Sequence, residues 1–280
     1  MAGPHDPPAA FGGPEAGAGG STRPMSTLSL LVGASLDRAP RPGYFAELPF
    51  AELAFRRPLP RVGRLREWRG TIAESAKLAL VVPRSIVEQP RGALRFDDTS
   101  AMDWLTASLE ATRASTLVLS TRGELTPGAR DRELLVRFAG RMQRTGVRFV
   151  WEAGGVWEPE QAEALGAEHG WIVAKDLSGA WRPDGTELDL SGPLYVRVHG
   201  VGIHARLSEG LLATIAEQLL TSGAPEATVA IASGDAYRKA KSLLAILTGQ
   251  ELGGGGEMPL RRSPSDDEDD DGDERFDDDE

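Results

Sequence analysis

The chain has no cysteine among its 280 residues, which excludes disulfides, thiolate nucleophiles and Cys-ligated zinc or iron–sulfur centres. It also has no run approaching the ~18 apolar residues of a membrane span. Its N-terminus lacks the basic-then-apolar order of a secretion signal. A cytoplasmic protein without membrane association is expected. Nucleophile-elbow, P-loop and zincin motifs are missing too, which removes several common hydrolase classes. No dinucleotide-binding glycine fingerprint follows the first apolar run, where Gly33-Ala34-Ser35 leads into a Pro-rich stretch. No cofactor is expected.

Charge of one sign is confined to the end of the chain. Residues 266–280 carry twelve acids and one Arg, which account for the whole net charge of −11. Residues 1–24 contain six Gly and five Pro with no apolar periodicity. Such segments cannot bury enough surface to offset their ordering entropy. The expected organisation is therefore a disordered Gly/Pro-rich leader at 1–24, a folded domain at 25–252 and a disordered acidic tail at 253–280. Met25, just before the first apolar run, is a second candidate for the start.

Within the domain, short β-rich runs lie at 28–32, 50–55, 78–82, 116–119, 147–151, 171–173, 194–198 and 228–232. Most are nearly continuous Val, Leu, Ile or Phe, as in strands covered on both faces. Helical patterns alternate with them, marked by Val62, Leu65, Trp68 and Ile72, then by Leu134, Leu135, Phe138 and Met142. Two later patterns are marked by Leu211, Leu212, Ile215 and Leu219, and by Tyr237, Ala240, Leu244 and Leu247. Asp98-Thr99-Ser100 and Thr126-Pro127 read as helix starts, and Asp235 as the cap of the last helix. Eight strands with interposed helices predict an α/β fold, a (β/α)8 TIM-like barrel, over an open doubly wound sheet. The first and sixth connections, 37–48 and 177–193, are too short or too rich in Gly and Pro for a full helix.

Polar residues at the C-terminal ends of barrel strands face the active-site side. Glu52, Glu152, Arg197 and His199 stand at such positions, with Lys175 and Asp176 nearby. Alternation puts Tyr195, Arg197 and His199 on one face of their strand. An inward Arg197 needs anionic partners, and Glu52 and Glu152 supply them. Two readings stay open. In one, Arg197 and Tyr195 bind an anionic ligand, Glu52 and Glu152 orient Arg197 or act as bases, and His199 exchanges a proton. In the other, the same residues form a structural ion-pair network. A phosphate site is a further candidate in the loops Gly200-Val201-Gly202 and Ser233-Gly234-Asp235. A metal site using His199, His204, Asp176 and Glu152 lacks convincing spacing, so no metal is expected. The segment Ser120-Thr121-Arg122-Gly123 reads as a loop leading into a helix rather than as pocket lining.

From Arg56 to Arg95 the chain carries ten basic residues and three acids. This reads as a solvated surface, or as a patch for a polyanion that the acidic tail could occupy on its own domain. No aromatic stacking motif accompanies it, so nucleic acid is not an expected partner.

The strand ends also carry a resemblance. Tyr195-Val196-Arg197-Val198-His199-Gly200 resembles the Tyr-Val-Arg-Leu-His-Gly motif of the YecE-like family, a TIM-barrel group known as domain of unknown function 72. Tyr44-Phe45 with Ala51-Glu52-Leu53, Ala79-Leu80-Val81-Val82-Pro83-Arg84, and Val150-Trp151-Glu152 with Trp157 resemble further family segments in the same order. The family's Asn-Ser-Thr-Phe-Tyr after Glu52 is Ala54-Phe55-Arg56 here, and its third-strand Lys is Val81. Its Arg-His after the fifth-strand Glu is Gly154-Gly155, and its Phe-Asn-Asn after the last strand is replaced around Ala232-Ser233-Gly234. The resemblance implies a divergent member with a barrel fold and no established activity. The function expected is binding of a small anionic ligand at the barrel mouth, with hydrolase- or lyase-type acid–base chemistry. The alternative is a catalytically degenerate barrel whose acidic tail docks a basic protein partner.

Overall fold

The computed structural model describes residues 28–88, 95–179, 189–200 and 207–249. The leader, the acidic tail, His204 and the Val201-Gly202 part of the proposed phosphate loop lie outside the described residues. Eight strands form one all-parallel sheet: β1 (Ser29–Leu36), β2 (Phe50–Leu53), β3 (Lys77–Val81), β4 (Thr116–Ser120), β5 (Arg148–Glu152), β6 (Ile172–Val173), β7 (Leu194–Val198) and β8 (Glu226–Ile231). Their order is β6-β5-β4-β3-β2-β1-β8-β7. The remaining seam is crossed just beyond β6, where Lys175 pairs with Val196. There the Lys175 amide donates to the Tyr195 carbonyl and the Arg197 amide to the Lys175 carbonyl, both at 2.9 Å. The sheet is thus a barrel, with each strand within a few residues of its apolar run.

Among the described residues seven α-helices accompany it: α1 (Val62–Arg69), α2 (Arg84–Val87), α3 (Thr99–Thr112), α4 (Ala129–Gln143), α5 (Pro159–His169), α6 (Glu209–Thr221) and α7 (Ala236–Thr248). The first connection holds only a 3-10 turn, Pro42–Ala46, and the described parts of the sixth hold no helix. Tyr44 in that turn closes a gap between strands. Its hydroxyl accepts from the Ala34 amide and donates to the Phe50 carbonyl, both at 2.8 Å.

Asp98 caps α3, accepting from the Ala101 amide at 3.1 Å. Two other expected starts differ. Gly128, not Thr126, holds the cap position of α4, and Thr126 donates instead to Asp131. Asp235 precedes α7, but its carboxylate takes the Arg238 guanidinium at 2.5 Å rather than a backbone amide. Tyr237, expected on the buried face of α7, is 38% exposed, because its hydroxyl reaches out to Glu47 at 2.6 Å. Ile72 is buried but lies beyond the end of α1, which stops at Gly70.

Strand alternation creates two apolar compartments. Between strands and helices lies the larger, which includes Trp151 packed edge-on against Trp157 and Trp171. Inside the barrel, Phe50, Ala79, Val81, Val118, Val150, Tyr195 and Ala230 form a plug, with the Phe50 and Tyr195 rings edge to face at 6.3 Å. The plug blocks any channel and provides the floor on which the polar layer at the C-terminal end rests.

Candidate functional site

A cavity of about 1060 Å³ opens at the C-terminal mouth. Its lining includes Glu152 from the end of β5, Arg197 from β7 and His199 just past the end of β7, with Arg197 and His199 both turned inward. Lys175, Asp176, Ser233 and Gly234 also line it.

Below the opening lies a connected hydrogen-bond network. Glu52 is fully buried and is not a lining residue. One of its oxygens accepts from the Tyr195 hydroxyl at 2.8 Å, the other from Arg197 Nε and Nη2 at 3.3 and 2.9 Å. Arg197 Nη1 reaches Glu152 Oε2, and the second oxygen of Glu152 pairs with His199 Nε2. Arg197 is thus held between two carboxylates, the arrangement a buried cation requires. Of the two carboxylates offered as bases, Glu52 holds the orienting place behind Arg197, whereas Glu152 reaches the cavity.

The charge states follow from this geometry. Burial by itself would raise the Glu152 pKa, but the His199 hydrogen bond and the Arg197 and His199 charges pull it down to about 2. The same bond to Glu152 raises His199 above its ordinary value, against its partial burial and the Arg197 charge. Burial pushes up the Tyr195 hydroxyl, so it stays a neutral donor to Glu52. Glu152 is therefore a carboxylate and His199 favours the imidazolium. The His199 side chain is 43% exposed, and among the described residues its Nδ1 has no hydrogen-bond partner.

The outer ring departs from expectation in several places. Lys175 touches the cavity, but its ammonium turns to Glu163 on α5 and is not free for a ligand. Asp176 accepts from the backbone and hydroxyl of Ser178 at 2.8 and 2.6 Å. Gly200 (φ 82) turns the chain away after β7 and is not a lining residue. Ser120, Thr121 and Arg122 do line the cavity, against the reading of a plain connecting loop. Arg56, Arg57, Arg84 and Ser85 line it as well, although none of them was expected at the site. Among the described residues no group of three or more His, Asp or Glu is arranged to hold a metal ion. No described helix is long and apolar enough to cross a membrane.

No protein-family model matches the sequence, and no curated protein matches it. Its structure does have relatives. A DUF72 family protein from Enterococcus faecalis superposes with a TM-score of 0.59 at 15% identity, covering 80% of this chain and 99% of its own. Another from Thermotoga maritima gives 0.55 at 15% identity, over 79% of this chain and 99% of its own. The catalytic domain of a chitinase from Pyrococcus furiosus gives 0.50 at 11% identity, over 81% and 97%. The chain therefore has the barrel fold of the DUF72 proteins, in agreement with the motif resemblance.

Proposed function

We propose that this is a divergent, cytoplasmic YecE-like barrel that binds a small anionic ligand at its mouth and exchanges a proton with it through His199. The observation that carries this reading is the Glu152–His199 pair on the cavity wall. It couples a carboxylate held ionised to a half-exposed imidazole whose second nitrogen has no partner among the described residues. Arg197 fixes Glu152 from below, and Glu52 with Tyr195 fixes Arg197. The proton-exchanging pair is thus preorganised by groups that need not move. A raised pKa makes His199 a general acid near neutral pH: Nδ1 donates to a ligand oxygen, and Glu152 stabilises the imidazolium before and holds the ring after. Such chemistry suits hydrolase- or lyase-type turnover of an anionic substrate.

The test is a thermal-shift screen of the full chain against phosphates and carboxylates, run in parallel on His199→Asn. A ligand at a hundred times its Kd adds about 2.7 kcal/mol to the stability of its receptor, or several degrees in Tm. A ligand whose shift, or whose turnover, falls in His199→Asn supports the reading. A panel without any shift, or ligands indifferent to His199, overturns it.

A further inference from the structure

We propose that the mouth has a second pole, formed by Arg84 and Ser85 with Arg56, Arg57 and Arg122, which binds the phosphate group of a small phosphomonoester. This inference deepens the ligand-binding reading above and rests on it.

The cavity wall has two chemically different halves. The ends of β5 and β7 and the residues just after β6 and β7 supply Glu152, Arg197, Asp176 and His199, whereas the connections after β2, β3 and β4 supply the four arginines and Ser85. On the second half, Arg56, Arg57 and Arg122 form no ion pair among the described residues. Asp37 is a further carboxylate on the lining, and its ion pair among the described residues is with Arg38 rather than with any of these three. Arg57 Nη2 only donates to the Ser85 carbonyl, at 2.5 Å.

Arg84 is oriented from behind. Its Nε takes Glu88 at 3.2 Å and its Nη2 takes Glu124, whose other oxygen is fixed by the Arg122 and Gly123 amides at 2.6 and 3.1 Å. Burial would raise Glu124, but the Arg122 amide and the Arg84 guanidinium lower its pKa to about 2, so it stays an ionised counter-ion. What remains is Arg84 Nη1, out of water and without a hydrogen-bond partner. The Ser85 hydroxyl beside it is in the same condition, as is the Ser233 hydroxyl on the rim after β8. An unmet buried donor is costly, and a ligand acceptor relieves that cost. The three residues that carry these atoms line one cavity, so a ligand acceptor there meets the donors once the side chains turn toward it.

A phosphate monoester fits best. It is a dianion with three terminal oxygens, so it can take a guanidinium and a hydroxyl together while offsetting more than one unpaired Arg. Phosphate alone is far smaller than a cavity of about 1060 Å³. The remaining volume takes the body of the ester and directs its far end to the His199 half.

The probe is inorganic phosphate, titrated into the full chain against chloride at matched ionic strength and read by thermal shift and calorimetry. Saturable stabilisation is expected, weakened about tenfold or more by Arg84→Gln and clearly by Ser85→Ala. Arg122→Ala, which removes only an exposed side chain, should weaken it too and serves if Arg84→Gln fails to fold. Arg137→Ala on α4, away from the mouth, should bind phosphate as the wild type does. No saturable effect beyond chloride, or wild-type affinity in the Arg84, Ser85 and Arg122 variants, overturns the proposal. Stabilisation by malonate but not phosphate, sensitive to His199, would sink the phosphate pole and leave the ligand-binding reading standing. Arg84-dependent phosphate binding in a protein whose ligands ignore His199 would do the opposite.

Discussion

Replacing Arg197 with Met tests whether the network beneath the mouth is a single electrostatic unit. Met fills much of the same volume but removes the cation that donates twice to Glu52 and once to Glu152. Glu152 keeps His199 and part of its solvent contact. Glu52 keeps only the Tyr195 hydroxyl and is fully buried, so the cost falls mainly there. Stranding a buried charge in this way costs about 3–5 kcal/mol, or roughly 6–20 °C in Tm for a domain of this size. Adding Glu52→Gln removes the stranded charge and preserves an acceptor for Tyr195. The new amide group is imperfectly paired, at about 1–3 kcal/mol, so the double variant should be about 2 kcal/mol more stable than Arg197→Met alone. Urea denaturation followed by tryptophan fluorescence reads both, with the buried Trp151 next to Glu152 as a local reporter. The reasoning fails if Arg197→Met costs less than about 1 kcal/mol, a value typical of solvated pairs, or if the double variant is less stable than the single.

Two further predictions concern pH and the first connection. His199 has a raised folded-state pKa, so its contribution is complete below its ordinary value of about 6.5 and is lost as pH rises through the raised one. The stability gap between wild type and His199→Asn should therefore be wider at pH 6 than at pH 9 in urea melts, and a gap constant across that range would contradict the pairing. Glu152 has the opposite sign: its pKa falls from 4.5 to about 2, so its contribution is present above about 4.5 and disappears as pH falls toward 2. Tyr44→Phe should destabilise by about 2 kcal/mol, because the Ala34 amide and the Phe50 carbonyl both lose the bridging hydroxyl. Unchanged melting would mean that the two strands close the gap without it.

The strands were legible because a parallel barrel buries both faces of each, leaving short apolar runs rich in β-branched residues between longer amphipathic helical patterns. The facing of Tyr195, Arg197 and His199 was legible from alternation along a five-residue strand. Lys175 was not: β6 has two residues, too few to fix a phase, and Ala174 turned inward leaves the Lys175 ammonium to α5. Arg56, Arg57, Arg84 and Arg122 stand beyond strand ends, where no periodicity applies. Their charge resembled a surface until closure of the barrel brought the loops after β2, β3 and β4 around one opening. Gly154-Gly155 read only as a lost Arg-His pair. The structure adds a steric reason, since a Cβ on Gly154 would lie 2.4 Å from the Thr121 carbonyl oxygen. On Gly155, whose φ is 74, it would lie 2.4 Å from the Gly123 Cα. The loop after β5 is packed directly on the loop after β4, which leaves no room for side chains there.

These contacts separate scaffold from site. Glu52, Tyr195, Arg197 and Glu152 form one chain of hydrogen bonds around a buried cation, and removing any charged member strands another. Folding alone is a sufficient reason for their presence together, so the four of them carry little information about chemistry. His199 is different. Arg197 is already neutralised by two carboxylates, and nothing in the buried network requires an imidazole at its edge. A half-exposed His that the buried network does not require, yet that sits on an ionised carboxylate at the cavity wall, has its main explanation outside folding. The same holds for the unpartnered donors of Arg84, Ser85 and Ser233, which the fold leaves unmet. His199 with its carboxylate thus lines one half of the cavity and Arg84 with Ser85 the other, where a two-ended ligand would touch both.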